Sequence, residues 1–219
     1  MNVATKSRVA EFLNYQEGCI VSRDLIKNSN GGVSMFAFDK NQELSEHTVP
    51  FDALVQGLEG EGEILFSGQS HLVHAGEMII LPSGQPHALN IHQRFKMMLT
   101  RISCPPITTR FYTKVFNVAD FIPYKENAII NQSVISLPCG RVRIYSYDAG
   151  QAKNDAMLLY DALVQALEGE VNISVEGNLN QLQAGDMILL PAGKSIDIKA
   201  VTRFKMMQTV VEPKALTVR

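Results

Sequence analysis

The sequence predicts an all-β protein built from two homologous domains, and three observations predict it. The first is an internal repeat: Phe51-Asp52-Ala53-Leu54-Val55-Gln56-Gly57-Leu58-Glu59-Gly60-Glu61 returns as Tyr160-Asp161-Ala162-Leu163-Val164-Gln165-Ala166-Leu167-Glu168-Gly169-Glu170. The second is its extent. The same offset of 109 positions aligns Val9-Ala10-Glu11-Phe12 with Val118-Ala119-Asp120-Phe121, and Gly76-Glu77-Met78-Ile79 with Gly185-Asp186-Met187-Ile188. It also aligns Arg94-Phe95-Lys96-Met97-Met98 with Arg203-Phe204-Lys205-Met206-Met207, so the offset runs without a gap. The third is pattern: short runs rich in Val, Ile, Phe and Tyr, broken by Gly, Asn or Pro, read as strands of a sandwich or barrel.

Each element follows in order. Val9 to Tyr15 and Val118 to Tyr124 read as short helices at the start of each domain, with Phe12 and Phe121 pointing inward. Cys19 to Ile26, Val33 to Phe38, Leu54 to Leu58, Gly62 to Ser67, Met78 to Leu81 and Phe95 to Arg101 read as strands. Asn30-Gly31-Gly32 and Ser67-Gly68-Gln69 supply hairpin turns. The domains are expected to be residues 1–108 and 109–219, joined by a short stretch that Pro105-Pro106 stiffens. Two copies joined this closely are expected to pack together as subunits of a homodimer would, burying Met97 or Met206. A homodimer of whole chains is a further expectation.

Composition narrows the function classes. With 46% hydrophobic residues, the 219-residue chain can bury a core. A net charge of −2 leaves no basic footprint for nucleic acid. No stretch approaches the apolar length of a membrane span or a signal peptide. Cys19, Cys104 and Cys139 are far apart and in no CxxC arrangement, so they indicate neither a disulfide framework nor a thiolate metal site. The simplest expectation is a reduced, cytoplasmic compartment.

Gly76-Glu77-Met78-Ile79-Ile80-Leu81-Pro82-Ser83-Gly84-Gln85-Pro86-His87 resembles the second cupin motif: glycine, five residues, Pro-x-Gly, two residues, histidine. His47 to Ala53, ahead of the Leu58-Glu59-Gly60 turn, resembles the first motif, in which His-x-His is followed by a glutamate. The resemblance implies a bicupin of two antiparallel jelly-roll barrels. It also implies metal ligands at His47 and His87, with the other two family ligand positions falling on Val49 and Ala53. A strand presents alternate residues to one face, so such a pattern turns imidazoles into a barrel. The expected cofactor is a divalent transition metal (Zn, Ni, Fe, Mn or Cu), in the first domain alone, with water or substrate completing the shell. In the second copy the four positions become Ala156, Leu158, Ala162 and Ile196, which predicts a mainly structural barrel.

Other polar residues are weighed against that repeat. Gln56 is a weak substrate-binding candidate through its amide, but Gln165 keeps it in the copy without histidines, and alternation from Ala53 and Val55 turns it to the opposite face. Asp52 and Asp161 recur likewise and read as turn or interface residues. His71, His74 and His92 read as surface histidines, and Glu43 and Glu46 as weak additional ligands. Arg94 and Lys96, with Arg203 and Lys205, are solvated or interface charges, an anion site being the alternative. No phosphate loop or nucleophile elbow occurs. Three functions follow as expectations: a small-molecule-binding bicupin, a metal-dependent enzyme of oxygenase or isomerase type, or an assembly module.

Overall fold

The computed structural model describes residues 4–104 and 114–213. The Pro105-Pro106 linker and the 108/109 boundary lie outside the described residues. Among the described residues the architecture is all-β, in two compact units. One takes residues 10–118 and the other takes 119–212 together with the leading segment up to Val9.

The first barrel has two sheets. In one, the neighbours in order are Phe116–Asn117, Glu77–Leu81, Asp52–Phe66, Phe95–Ile102, Gly31–Phe38 and Ile20–Asn28. In the other, Gln42–His47 pairs His87–Ile91, which pairs the far half of Asp52–Phe66, which pairs Gln69–His74. All pairings are antiparallel. Asp52–Phe66 serves both sheets because it turns at Gly60, whose φ of 70° carries the strand past the Arg94 carbonyl, where a Cβ would overlap that oxygen. The second barrel repeats the plan, with the long strand broken at Gly169 into Ala162–Glu168 and Glu170–Val175.

Alternation separates the faces. Val55, Ile64, Phe66, Leu89, Ile91 and Phe95 form the core of the first barrel, and Val164, Ile173, Ile196, Ile198 and Phe204 that of the second. Met97 and Met206, expected at a surface between copies, belong to these cores, since each stands two residues after the core Phe95 or Phe204 on the same strand face.

Several expectations are corrected. Neither leading segment is an α-helix: residues 9–13 form turns and bends, and Ala119–Phe121 is one turn of 3₁₀-helix. Seven residues are too few to form a stable helix, and the second segment carries Pro123 within it. Phe12 and Phe121 are half-buried, and Phe12 lies beneath the Arg23 guanidinium at 4.6 Å. The leading segments form strands instead. Ser7–Arg8 pairs with Met187 and Asp186, and Phe116–Asn117, its counterpart in the repeat, pairs with Met78 and Glu77. Each barrel therefore takes an edge strand from the segment leading into the other repeat. Among the described residues Cys19 is a free cysteine. No helix among the described residues is long and apolar enough to cross a membrane.

The repeated charges clamp these leading segments. Lys96 is buried, donating to the Ala10 carbonyl at 2.6 Å while pairing Glu59 at 3.0 Å and lying over the Tyr15 ring at 4.6 Å. Lys205 repeats the arrangement on Ala119, Glu168 and Tyr124. Arg94 donates to Asp39 and Arg203 to Asp148, each at 2.9 Å. The guanidinium of Arg94, helped by the Gly18 N–H, holds the Asp39 carboxyl down at about 2. These bonds give Arg94, Lys96 and their repeats structural roles.

Candidate functional site

His47 ends the strand Gln42–His47, and His87 begins the strand His87–Ile91. Leu89 and Ile91 face the barrel core, so alternation turns His87 inward as well. His47 reaches the same face through a bulge. Leu44 pairs with Leu89 and His47 with His87, so three steps on one strand match two on the other and the parity is reset. The two rings consequently sit 4.5 Å apart, centroid to centroid. Phe66 flanks His87 from the adjoining strand, and His87 is buried while His47 is exposed.

Hydrogen bonding fixes the rings' tautomers. His47 Nδ1 lies 2.8 Å from the Ser45 carbonyl and His87 Nδ1 3.1 Å from that of Gln85. A carbonyl only accepts, so in each neutral ring Nδ1 donates and Nε2 holds the lone pair. Burial pushes the His87 ring below the ordinary histidine value, and the neighbouring His47 adds to this; the Gln85 carbonyl opposes it. His87 is thus a neutral imidazole with an Nε2 acceptor.

A metal centre needs more than this pair offers. Catalytic zinc and non-haem iron sites use three protein ligands as a rule. Among the described residues no group of three His, Cys, Asp or Glu side chains is placed to hold a metal. Glu43 and Glu46 are exposed and do not complete one, and Val49 and Ala53 stand at the remaining family positions. The donor set falls short of a catalytic metal centre.

The other candidates are placed as follows. Gln56 is buried, but on the sheet face opposite Ala53 and Val55, away from the barrel interior and the histidines. Asp52 accepts from Ser83 N and Asp161 from Ala192 N, each at 2.9 Å, so both brace the turn after the motif proline. His74 is exposed between Glu61 and Glu77, His92 is exposed near Glu63, and His71 is half-buried beside Phe66.

The second barrel holds what motif reasoning missed. Its interior opens into a chamber of about 260 Å³. Ala156, Leu158 and Ile196, which replace the family ligands, do line it with apolar surface. Polar groups come from other strands: Arg143, Tyr145 and Tyr147 on one, Gln208 on its neighbour. Tyr145 donates to Gln208 Oε1 at 3.3 Å, and the buried Tyr147 hydroxyl has no partner. The repeat carried the signal, because the first-barrel counterparts are Ser34, Phe36, Phe38 and Leu99.

Two jelly-roll barrels in tandem, each with its motif turn at one end, define a two-domain cupin-fold protein. Comparison with known proteins agrees at the level of fold. The structure is similar to a cupin 2 conserved barrel domain protein from Leptotrichia buccalis, with 20% identity over 97% of this chain and 98% of that one, and a TM-score of 0.88. It is also similar to salicylate 1,2-dioxygenase from Pseudaminobacter salicylatoxidans, with 12% identity over 82% of this chain and 70% of that one, and a TM-score of 0.66. The family of ethanolamine utilisation protein EutQ matches residues 145–214, nearly all of them in the second barrel. No curated protein matches the sequence.

Proposed function

We propose that this protein binds a small molecule within its barrels and does so without a catalytic metal centre. The observation that carries the reading is the His47–His87 pair: a buried and an exposed imidazole side by side, both Nδ1 atoms committed to carbonyls, and among the described residues no third ligating side chain beside them. Two Nε2 atoms suit hydrogen bonding to a ligand's hydroxyl or amide donor.

A second reading, a metal-dependent enzyme of the oxygenase or isomerase type, has the same two Nε2 lone pairs in its favour. It needs a third ligand from outside the described side chains. Elemental analysis of the wild type beside His47→Ala and His87→Ala separates the readings. The binding reading expects no stoichiometric metal in any of the three. About one tightly held transition metal per chain, lost in both variants and required for turnover, would establish the enzyme instead.

A further inference from the structure

The two barrel interiors have exchanged character in a reciprocal way. Where the first barrel has His47 and His87, the second has Ala156 and Ile196; where the first has Phe36, Phe38, Leu99 and Leu44, the second has Tyr145, Tyr147, Gln208 and Lys153. Phe36 and Phe38 stack at 6.0 Å in the first barrel. A barrel kept only as packing would gain nothing by adding hydroxyls to those rings, because a buried hydroxyl without a partner costs about 1–3 kcal/mol.

The polar groups are ordered by depth. Arg143, Tyr145 and Tyr147 are alternate residues of one strand and share its inner face, spaced about 7 Å apart. Gln208 stands across from Arg143, Met206 across from Tyr145, and Phe204 across from Tyr147. The outer level is therefore cationic and amide-bearing, the middle sets Tyr145 against Met206, and the buried, unpartnered Tyr147 phenol stands beyond them. Burial, with the adjacent Tyr145, raises the Tyr147 pKa, so this phenol remains a hydrogen-bond donor at neutral pH.

Charge at the mouth is of one sign. Among the described residues no acidic side chain lines the chamber. Arg141 is engaged by Glu212 at 2.9 Å, whereas Arg143 donates to the neutral Ser133 hydroxyl at 3.4 Å with no acidic partner among the described residues, and Lys153 is exposed at the rim. Tyr145 occupies the Gln208 carbonyl, which leaves that amide's N–H groups to donate. Met157 and Leu159 at the rim are 68% and 83% exposed, so apolar surface continues to the opening.

We propose that the interior of the second barrel is a binding site for a small organic acid: a monocarboxylate with an apolar body and a second, uncharged oxygen. The carboxylate is met by Arg143 and the Gln208 amide, with Lys153 at the rim. The body lies against Met206, Ile196 and Ile198, and the second oxygen accepts from the Tyr147 hydroxyl. The proposal deepens the small-molecule-binding reading and rests on it, but locates the site in the barrel that has lost the motif histidines.

The test is calorimetric titration of the full chain with two carboxylates that carry a second oxygen, levulinate and para-hydroxybenzoate. Their matches lacking that oxygen are pentanoate and benzoate, and the uncharged matches are the two methyl esters. The variants are Tyr147→Phe, Gln208→Leu and Arg143→Ser, each restoring the first-barrel residue, with the exposed His92→Ala as the control and His47→Ala as the probe of the other barrel. Tyr147→Phe is expected to weaken an oxygen-bearing acid roughly three- to tenfold and to leave its oxygen-free match unchanged. Arg143→Ser is expected to weaken every acid by at least about tenfold. Esters binding as tightly as acids would overturn the proposal, as would no acid binding at millimolar concentration. Binding lost in His47→Ala but kept in Tyr147→Phe would overturn it while leaving a ligand-binding first barrel. Circular dichroism of each variant guards against misfolding.

Discussion

Replacing Lys96 with methionine keeps most of the buried stem and removes the charge, and the surroundings set the expected loss. Lys96 is only 6% exposed, and its ammonium donates to the Ala10 carbonyl at 2.6 Å. A hydrogen bond from a charged group contributes about 1.5–3 kcal/mol. Lying over the Tyr15 ring at 4.6 Å adds about 1 kcal/mol. The pair with Glu59 adds little, since that carboxylate side chain is 46% exposed and screened by water. Methionine restores part of the loss by filling the channel. A net destabilisation of about 3 kcal/mol follows, which lowers the melting midpoint by roughly 6–12 °C in a chain of this size. Differential scanning calorimetry reads it, with Lys205→Met as the internal repeat of the experiment. A shift below about 2 °C in both would show that the leading segment is not held by this ammonium, and would return the Arg-Phe-Lys stretch to the role of an anion site.

Other consequences can be measured alongside. Gly169 has a φ of 73°, and a Cβ there would overlap the Arg203 carbonyl, whereas Gly68 has a φ of 72° with open space around it. Gly169→Ala is therefore expected to cost more than about 3 kcal/mol and to leave the protein largely insoluble, while Gly68→Ala costs about 1 kcal/mol in chemical denaturation. His87 supplies a pH dependence. Its folded pKa lies below the unfolded value of about 6.5, so the unfolded chain takes up the proton first. Stability attributable to neutral His87 is complete above that value and declines as pH falls through it. His87→Ile, which installs the second barrel's residue, is expected to flatten the urea-denaturation midpoint between about pH 7 and pH 5; an unchanged slope would contradict the burial of a neutral ring.

Much of the architecture is legible in the residues. The offset between Phe51 and Tyr160 gives the duplication, and Gly76 to His87 gives the barrel type. The strands Ile20–Asn28, Gly31–Phe38 and Phe95–Ile102 are readable because about half of their residues are aliphatic or aromatic. Gln42–His47 and Gln69–His74 are not, because sequences such as Gln-Glu-Leu-Ser-Glu-His carry one core residue in six, and their strand character comes from hydrogen bonding to neighbours. The segments from Val9 and Val118 fail as helices because a clamp by Lys96 or Lys205 on the Ala10 or Ala119 carbonyl holds them in another conformation. The convergence of His47 on His87 depends on a one-residue bulge, which strict alternation from Leu44 would have placed on the wrong face. The second chamber stayed hidden for a simpler reason. Motif positions are where ligands are sought first, and those positions are apolar there, while Tyr145, Tyr147 and Gln208 stand on strands outside both motifs.

Metal content tests the central claim most directly. The wild-type chain, loaded in turn with zinc, iron, nickel, manganese and copper, then desalted, is measured by elemental analysis. Two imidazoles without a third protein ligand are expected to retain well under one equivalent of any of them. Retention of one equivalent per chain, abolished by His47→Ala and by His87→Ala, would show a completed metal centre in the first barrel and would contradict a binding function without one.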